Sequence, residues 1–198
     1  MKNLLIAGLL ATTLAAPATA ALKEGDAAPD FRASASLNGK TFTFSLNEAL
    51  KKGPVVVYFY PSAYTGGCNL QAHTFATKHE AFSKAGASII GVSLDSIARL
   101  NEFSADPDFC GGKVAVASDS DGKIARSYDL NVREASAGRK DSRGQAIEHG
   151  FAERVTFVVS PSGRIVSTIG GVAPVTNVEQ ALEVVQKLAA AHASSGQR

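Results

Sequence analysis

Residues 55–68, VVVYFYPSAYTGGC, constrain the chain more than any other stretch. Every position of 55–60 is β-branched or aromatic, and an unbroken run of that kind suits a strand covered on both faces of a parallel or mixed sheet. Pro61 closes the run, because it has no N–H to give a ladder. The small and polar residues 62–67 read as a turn. Beyond it, Cys68, Ala72, Phe75, His79 and Phe82 recur at spacings of four and three, the spacing of one helical face. Cys68 is thereby placed in the first turn of a helix that leaves a central strand. Unpaired amides and the helix dipole at such a place favour a thiolate, the reactive form of cysteine.

The 198 residues carry a formal net charge of +2 and contain two cysteines, Cys68 and Cys110. That charge argues neither for nor against nucleic acid, but no basic cluster with interleaved aromatics appears, so no nucleic-acid partner is expected. Two cysteines exclude a disulfide-dense scaffold and a four-cysteine zinc site, and neither a metal nor a cofactor is expected. What remains is a single bridge, a reactive thiol with a partner, or two inert core thiols. Residues 1–20 read as a signal peptide: Lys2, an apolar stretch at 4–14 too short to span a bilayer, and Ala18-Thr19-Ala20 before the cut. An uncleaved membrane anchor is the alternative. The mature domain, 21–198, is then expected to be soluble, free of the membrane and exported to the periplasm, where disulfides persist.

Along that domain, Asn38-Gly39 signals a hairpin, followed by the alternating strand Thr41-Phe42-Thr43-Phe44. Ser45 caps a brief helix that Gly53 stops. After the cysteine helix come a buried strand at 87–93 and a helix capped by Asp95 or Ser96 that loses regularity at Asp106-Pro107. Cys110 falls in an irregular, glycine-rich segment. A short strand at 114–117 and a short helix at 123–128 follow. Residues 131–150 form a polar loop without period, read as a surface loop ordered only in part, with Arg133, Arg139, Lys140, Arg143 and His149 solvated. A strand at 154–160, a turn at Pro161-Ser162-Gly163, a returning strand at 164–169 and a terminal helix, capped by Thr176 with Glu179, complete the chain, with a frayed tail from 193. The order gives an α/β fold: a central mixed β-sheet flanked by helices, with an N-terminal β-hairpin.

The pattern Pro61-x-x-x-Thr65-x-x-Cys68 has chemical sense. Pro61 shields the thiolate from one side. Thr65 is close enough for its hydroxyl to touch the sulfur and a bound oxygen. The N–H groups of Gly67 and Cys68 point into the same space as a small anion cradle. A thiolate facing two oxygens held in line suits displacement on a peroxide O–O bond, which yields a cysteine sulfenic acid.

The stretch from Tyr58 through Pro61 and Thr65 to Cys68 resembles the active-site motif of the peroxiredoxins, thiol peroxidases of the thioredoxin fold. Residues 25–31 (GDAAPDF) resemble the family's opening, Ile90-Gly91-Val92-Ser93 its next core strand, and Arg154-Val155-Thr156-Phe157-Val158-Val159 the strand that carries its arginine. Within the family the chain looks closest to the Q-type, bacterioferritin-comigratory-protein-like branch. The resemblance implies reduction of hydrogen peroxide and organic hydroperoxides, with Cys68 as peroxidatic nucleophile, Thr65 bonded to thiolate and peroxide, Arg154 polarising the peroxide and Pro61 shielding. It implies a thioredoxin-like or other dithiol reductant and a monomer or weak dimer. From the residues alone, Arg154 is merely a charge that begins a strand. His73 stands where many Q-type members carry a resolving cysteine, and Gln71 where relatives often have Glu. Cys110 lies where some members carry the resolving cysteine, so an intramolecular Cys68–Cys110 disulfide is expected, reached by unwinding around Gly66-Gly67 and Gly111-Gly112. The rival readings are an exported thiol–disulfide oxidoreductase, which lacks its Cys-x-x-Cys here, a copper carrier without a second nearby thiolate, and a redox-inert binding domain.

Overall fold

The computed structural model describes residues 21–195, so the expected signal peptide lies outside the described residues. Asn38 and Gly39 both take left-handed backbone, with φ of 49° and 74°. That geometry makes a tight hairpin turn, which joins β1 (Arg32–Leu37) to β2 (Lys40–Ser45). The Ser45 hydroxyl accepts the Glu48 N–H and caps α1 (Leu46–Leu50). The apolar run becomes β3 (Val55–Phe59), buried at every position, and leads into α2 (Gly66–Lys84). Then follow β4 (Ser88–Ser93), α3 (Ile97–Ala105) capped by Ser96, β5 (Ala115–Ser118) and α4 (Lys123–Ser127). The chain closes with β6 (Val132–Arg133), β7 (Phe151–Ala152), β8 (Val155–Val159), β9 (Ile165–Gly170) and α5 (Pro174–Ser195).

Seven strands form one mixed sheet in the order β2-β1-β5-β4-β3-β8-β9. β3 lies inside it, parallel to β4 and antiparallel to β8. The absence of alternation in its sequence has a direct cause: Val56 and Tyr58 pack beneath α2, α3 and α5, while Val55, Val57 and Phe59 pack against α1 and Tyr128 on the other face. Full burial of each such side chain stabilises by about 1.5–3 kcal/mol. The register Phe59↔Val155 leaves Arg154 one residue beyond the pair, level with the end of β3 where the chain turns into α2.

The structure corrects three expectations. Thr176 does not cap the terminal helix: α5 already begins at Pro174, whose missing N–H costs nothing in a first turn, and the Asn177 N–H donates to the Ala173 carbonyl. The helix runs to Ser195, past the expected start of fraying at 193, and the remaining tail, 196–198, lies outside the described residues. The 131–150 segment is a built element. β6 pairs with β7, Lys140 bridges Ala146, and Asp141 and Ile147 are buried.

Candidate active site

Thr65 is the residue before α2 and takes extended backbone, with φ −120° and ψ 143°. Its carbonyl accepts both the Cys68 and the Asn69 N–H, at 2.9 and 2.8 Å, which tightens the first turn. The Cys68 N–H is therefore not part of the expected cradle. The thiol is buried, 2% exposed, at the end of β3. Arg154 Nη2 donates to Cys68 Sγ at 3.2 Å. The antiparallel β3–β8 register makes that meeting, by carrying the start of β8 to the same sheet end as the first turn of α2. A guanidinium donor at a sulfur stabilises negative charge there. Gly67 gives the guanidinium room: a Cβ on it would lie 3.2 Å from Arg154 Nη2 and 3.4 Å from Pro174 Cγ.

Arg154 is held from behind. Its Nη1 donates to Gln71 Oε1, and Gln71 Nε2 donates to Asn177 Oδ1 at 2.9 Å. Asn177 also accepts from Thr156 Oγ1 at 2.6 Å and donates to the Ile169 carbonyl at 3.0 Å. Gln71 and Asn177 are both buried, so each polar atom needs this partner set. An amide at position 71 suits the site because it accepts from Arg154 and donates to Asn177 at once. A carboxylate does only the first.

Thr65 Oγ1 donates to the Ser62 carbonyl at 2.8 Å, which commits its proton to the turn and leaves its lone pairs to accept. Pro61 and Arg154 line one cleft of about 350 Å³ together with Asn131, Arg133, Ala152 and Glu153. A larger groove of about 610 Å³ runs along the β2 edge, past Phe42, Phe44 and Lys52, and contains none of these residues. His149 is not the solvated residue expected, since its Nε2 lies 2.8 Å from Asp95 Oδ1. The sequence suggests Asp95 only as a helix cap and gives no sign of Asn177, whose partners lie on other elements.

Cys110 sits in the turns between α3 and β5 and is fully buried. Both cysteines are free thiols. Burial pushes the Cys110 thiol far up, and the nearby Asp106 carboxylate adds to the shift. His73 Nδ1 lies 2.9 Å from the Asp108 carbonyl and ties the Cys110 segment to α2. Tyr58 packs in the same core cluster as both thiols, and burial pushes its phenol well above its ordinary range, with Cys110 and Cys68 adding to the shift. Its hydroxyl is buried and, among the described residues, makes no hydrogen bond. Among the described residues no group of three His, Cys, Asp or Glu could hold a metal ion, and no helix is long and apolar enough to cross a membrane.

Residues 24–168 match the AhpC/TSA family. Peroxiredoxin Bcp of Xanthomonas campestris is 35% identical over 112 residues, covering 57% of this chain and 63% of that protein, so the match spans a little under two thirds of its length. A putative peroxiredoxin bcp of Helicobacter pylori is 32% identical over 142 residues, covering 72% of this chain and 84% of that protein. Among solved structures, the bacterioferritin comigratory protein of Xanthomonas campestris superposes with a TM-score of 0.66 at 28% identity, covering 86% of this chain and 99% of that one. Peroxidoxin BcpB of Mycobacterium tuberculosis shares the fold, with a TM-score of 0.69 at 23% identity over 84% of this chain and 97% of that one. With the family match and the fold in agreement, the chain belongs to the AhpC/TSA family and is a thioredoxin-fold peroxiredoxin of the Bcp/Q kind.

Proposed function

We propose that this chain reduces hydroperoxides at Cys68. The observation that carries the reading is the Arg154 guanidinium donating to Cys68 Sγ at 3.2 Å in the first turn of α2. The Cys68 thiolate attacks the terminal oxygen of ROOH. An S–O bond forms, the O–O bond breaks, and the electron pair leaves on RO⁻, which takes a proton to become ROH. Arg154 stabilises charge as it moves from sulfur to the leaving oxygen. Thr65 Oγ1, its own proton donated to Ser62, accepts the O–H of the incoming peroxide. Pro61 lines a cleft with Arg154, on the side of the guanidinium, whose lining does not include Cys68 or Thr65. Alkyl peroxide reduction is the activity ascribed to the bacterioferritin comigratory protein of Xanthomonas campestris, and alkyl hydroperoxides are included in the substrate class proposed for this chain.

Cys110 then attacks the Cys68 sulfenic acid, forming a disulfide and releasing water, and a thioredoxin-like dithiol protein returns both thiols. The two cysteines pack in one core cluster, which supports the pairing. Cys110 is buried and disfavours its thiolate, so this step requires the 106–113 turns to release from α2, including the His73–Asp108 bond. The protein acts as a monomer or weak dimer, exported on the strength of Ala18-Thr19-Ala20. Purified protein with dithiothreitol is expected to consume hydrogen peroxide, and Cys68→Ser to abolish it. Intact mass after one equivalent of peroxide is expected to show loss of two hydrogens. A stable sulfinic acid on Cys68 with Cys110 still free would remove the resolving role.

A further inference from the structure

The turn that carries Thr65 is gripped from outside at successive backbone positions. Asp95, two residues beyond the end of β4 and fully buried, accepts from Ser62 Oγ at 3.0 Å, Ala63 N–H at 2.8 Å and Ser93 Oγ at 2.7 Å. The Ala63 carbonyl accepts from Arg99 Nη2 at 2.9 Å, and the Tyr64 carbonyl from the Ser142 N–H at 2.8 Å. The Arg143 guanidinium lies 3.3 Å over the Tyr64 ring. Tyr64 needs such a grip, because its φ of 59° is unfavourable for a residue with a Cβ and persists only where neighbours over-determine it. Asp141 accepts from Arg99 and Arg143 together, at 2.8 and 3.2 Å, and so joins the 139–149 segment to α3.

The geometry of His149 selects a charged ring. Its Nε2 faces Asp95 Oδ1 at 2.8 Å and, more distantly, Ser62 Oγ at 3.4 Å, and its Nδ1 faces the Gly150 carbonyl at 2.7 Å. A neutral imidazole has one N–H, so either tautomer sets a lone pair against an oxygen, whereas the imidazolium donates to both. The charged groups facing the ring are Asp95 and Arg99, whose Nε is 2.8 Å from Asp95 Oδ1 as an ion pair at a poor hydrogen-bonding angle. Asp141 balances Arg99 from the loop side, and Glu148 shares the surface groove with the ring. Burial pushes the imidazole down, but the Asp95 bond and charge and the Gly150 carbonyl outweigh it and raise His149 above its ordinary 6.5. Burial likewise pushes the Asp95 carboxyl up, and the His149, Ala63 and Ser93 donors reverse this and hold it below its ordinary 3.8.

We propose that the Asp95–His149 ion pair is a clamp that holds the Ser62–Thr65 turn in its reactive form, and that loss of the His149 proton slackens it. Asp95 fixes Ser62 and Ala63, the Ser62 carbonyl fixes the Thr65 hydroxyl, and the Thr65 carbonyl fixes the first turn that bears Cys68. Asp95 and His149 are thus positioning residues. For its effect on rate, the proposal rests on the peroxidase reading. A raised histidine contributes fully below its ordinary value and is lost as pH rises through the folded one. A depressed aspartate contributes above its ordinary value and is lost as pH falls through the folded one. The clamp is closed between those two limits.

The test follows the Ala63 and Thr65 amide resonances and the His149 ring in reduced, nitrogen-15-labelled protein from about pH 5.5 to about pH 9. The three are expected to move with one common midpoint above 6.5, the ordinary value. In His149→Gln, which keeps one donor for Asp95 and cannot titrate, the Ala63 and Thr65 amides are expected to stay flat. In parallel, the rate of Cys68 oxidation by hydrogen peroxide in wild type, divided by that in His149→Gln, is expected to fall about fivefold across the same range. Asp95→Asn is expected to lose about tenfold in that rate at neutral pH. Should it fail to fold, His149→Gln still decides. Amides that ignore the His149 titration, or a flat rate ratio in active protein, overturn the clamp. Wild-type protein without peroxidase activity overturns the peroxidase reading instead, and the amide titration still judges the clamp.

Discussion

The two cysteines are the same residue in opposite surroundings. Cys68 is 2% exposed at a helix start, where a guanidinium donates to its sulfur from 3.2 Å. Cys110 is 0% exposed among turns, with Asp106 nearby and burial pushing its thiol up. Exposure hardly separates them. Electrostatics does: one sulfur has a cation and an amide-rich helix end, the other an anion and apolar walls. In the proposed reaction the first is the sulfur that meets the peroxide. The second is a buried thiol that, in the proposed reaction, acts only once its segment opens.

Breaking that contrast at Cys68 gives the largest effect expected of the proposed function. Cys68→Ser is expected to lower peroxide consumption about 1000-fold or more, whereas Cys110→Ser leaves the first oxidation of Cys68 nearly unchanged and halts turnover with a dithiol protein. Stopped single-turnover and steady-state assays separate the two. Removing the cation comes next. Arg154→Met is expected to cost about 100- to 1000-fold in the oxidation rate, the loss typical of one preorganised charge-stabilising donor. Freeing the cation from its support is milder. Gln71→Leu leaves Arg154 Nη1 without its acceptor and takes one of two donors from Asn177 Oδ1, and is expected to cost about tenfold in rate and about 1–3 kcal/mol in urea unfolding, from a part-buried donor left unpaired. The smallest change is Gly67→Ala, whose methyl would meet Arg154 Nη2 at 3.2 Å. A few-fold loss of rate without loss of thermal stability is expected, since alanine suits a helix better than glycine. The contrast is sharpened by alkylation: iodoacetamide is expected to label Cys68 in native protein and Cys110 only in urea.

How much of the molecule is legible in the sequence depends on how local the cause is. The run 55–59 declares a strand with both faces covered, and Asn38-Gly39 a hairpin, because both follow from adjacent residues. The first-turn position of Cys68 follows from periodicity. Arg154 is different. Its value comes from the antiparallel register of β8 on β3, which nothing near residue 154 encodes, so only family resemblance points to it. Asn177 gives no signal, since its bonds reach Gln71, Thr156 and Ile169 on three other elements. The 131–150 segment reads as loose loop because it has no period. Its order comes from side chains such as Asp141, Arg143 and His149 reaching to distant backbone, aromatic and carboxylate groups. The Thr176–Glu179 spacing misleads because Pro174 has already opened the helix.

The most direct measurement is the second-order rate constant for Cys68 with hydrogen peroxide near neutral pH, taken by competition in the Cys110→Ser protein. A value several orders of magnitude above that of free cysteine, falling steeply in Arg154→Met, is the result expected of a sulfur held beside that guanidinium. A Cys68 no faster than free cysteine, or one indifferent to the loss of Arg154, would contradict it.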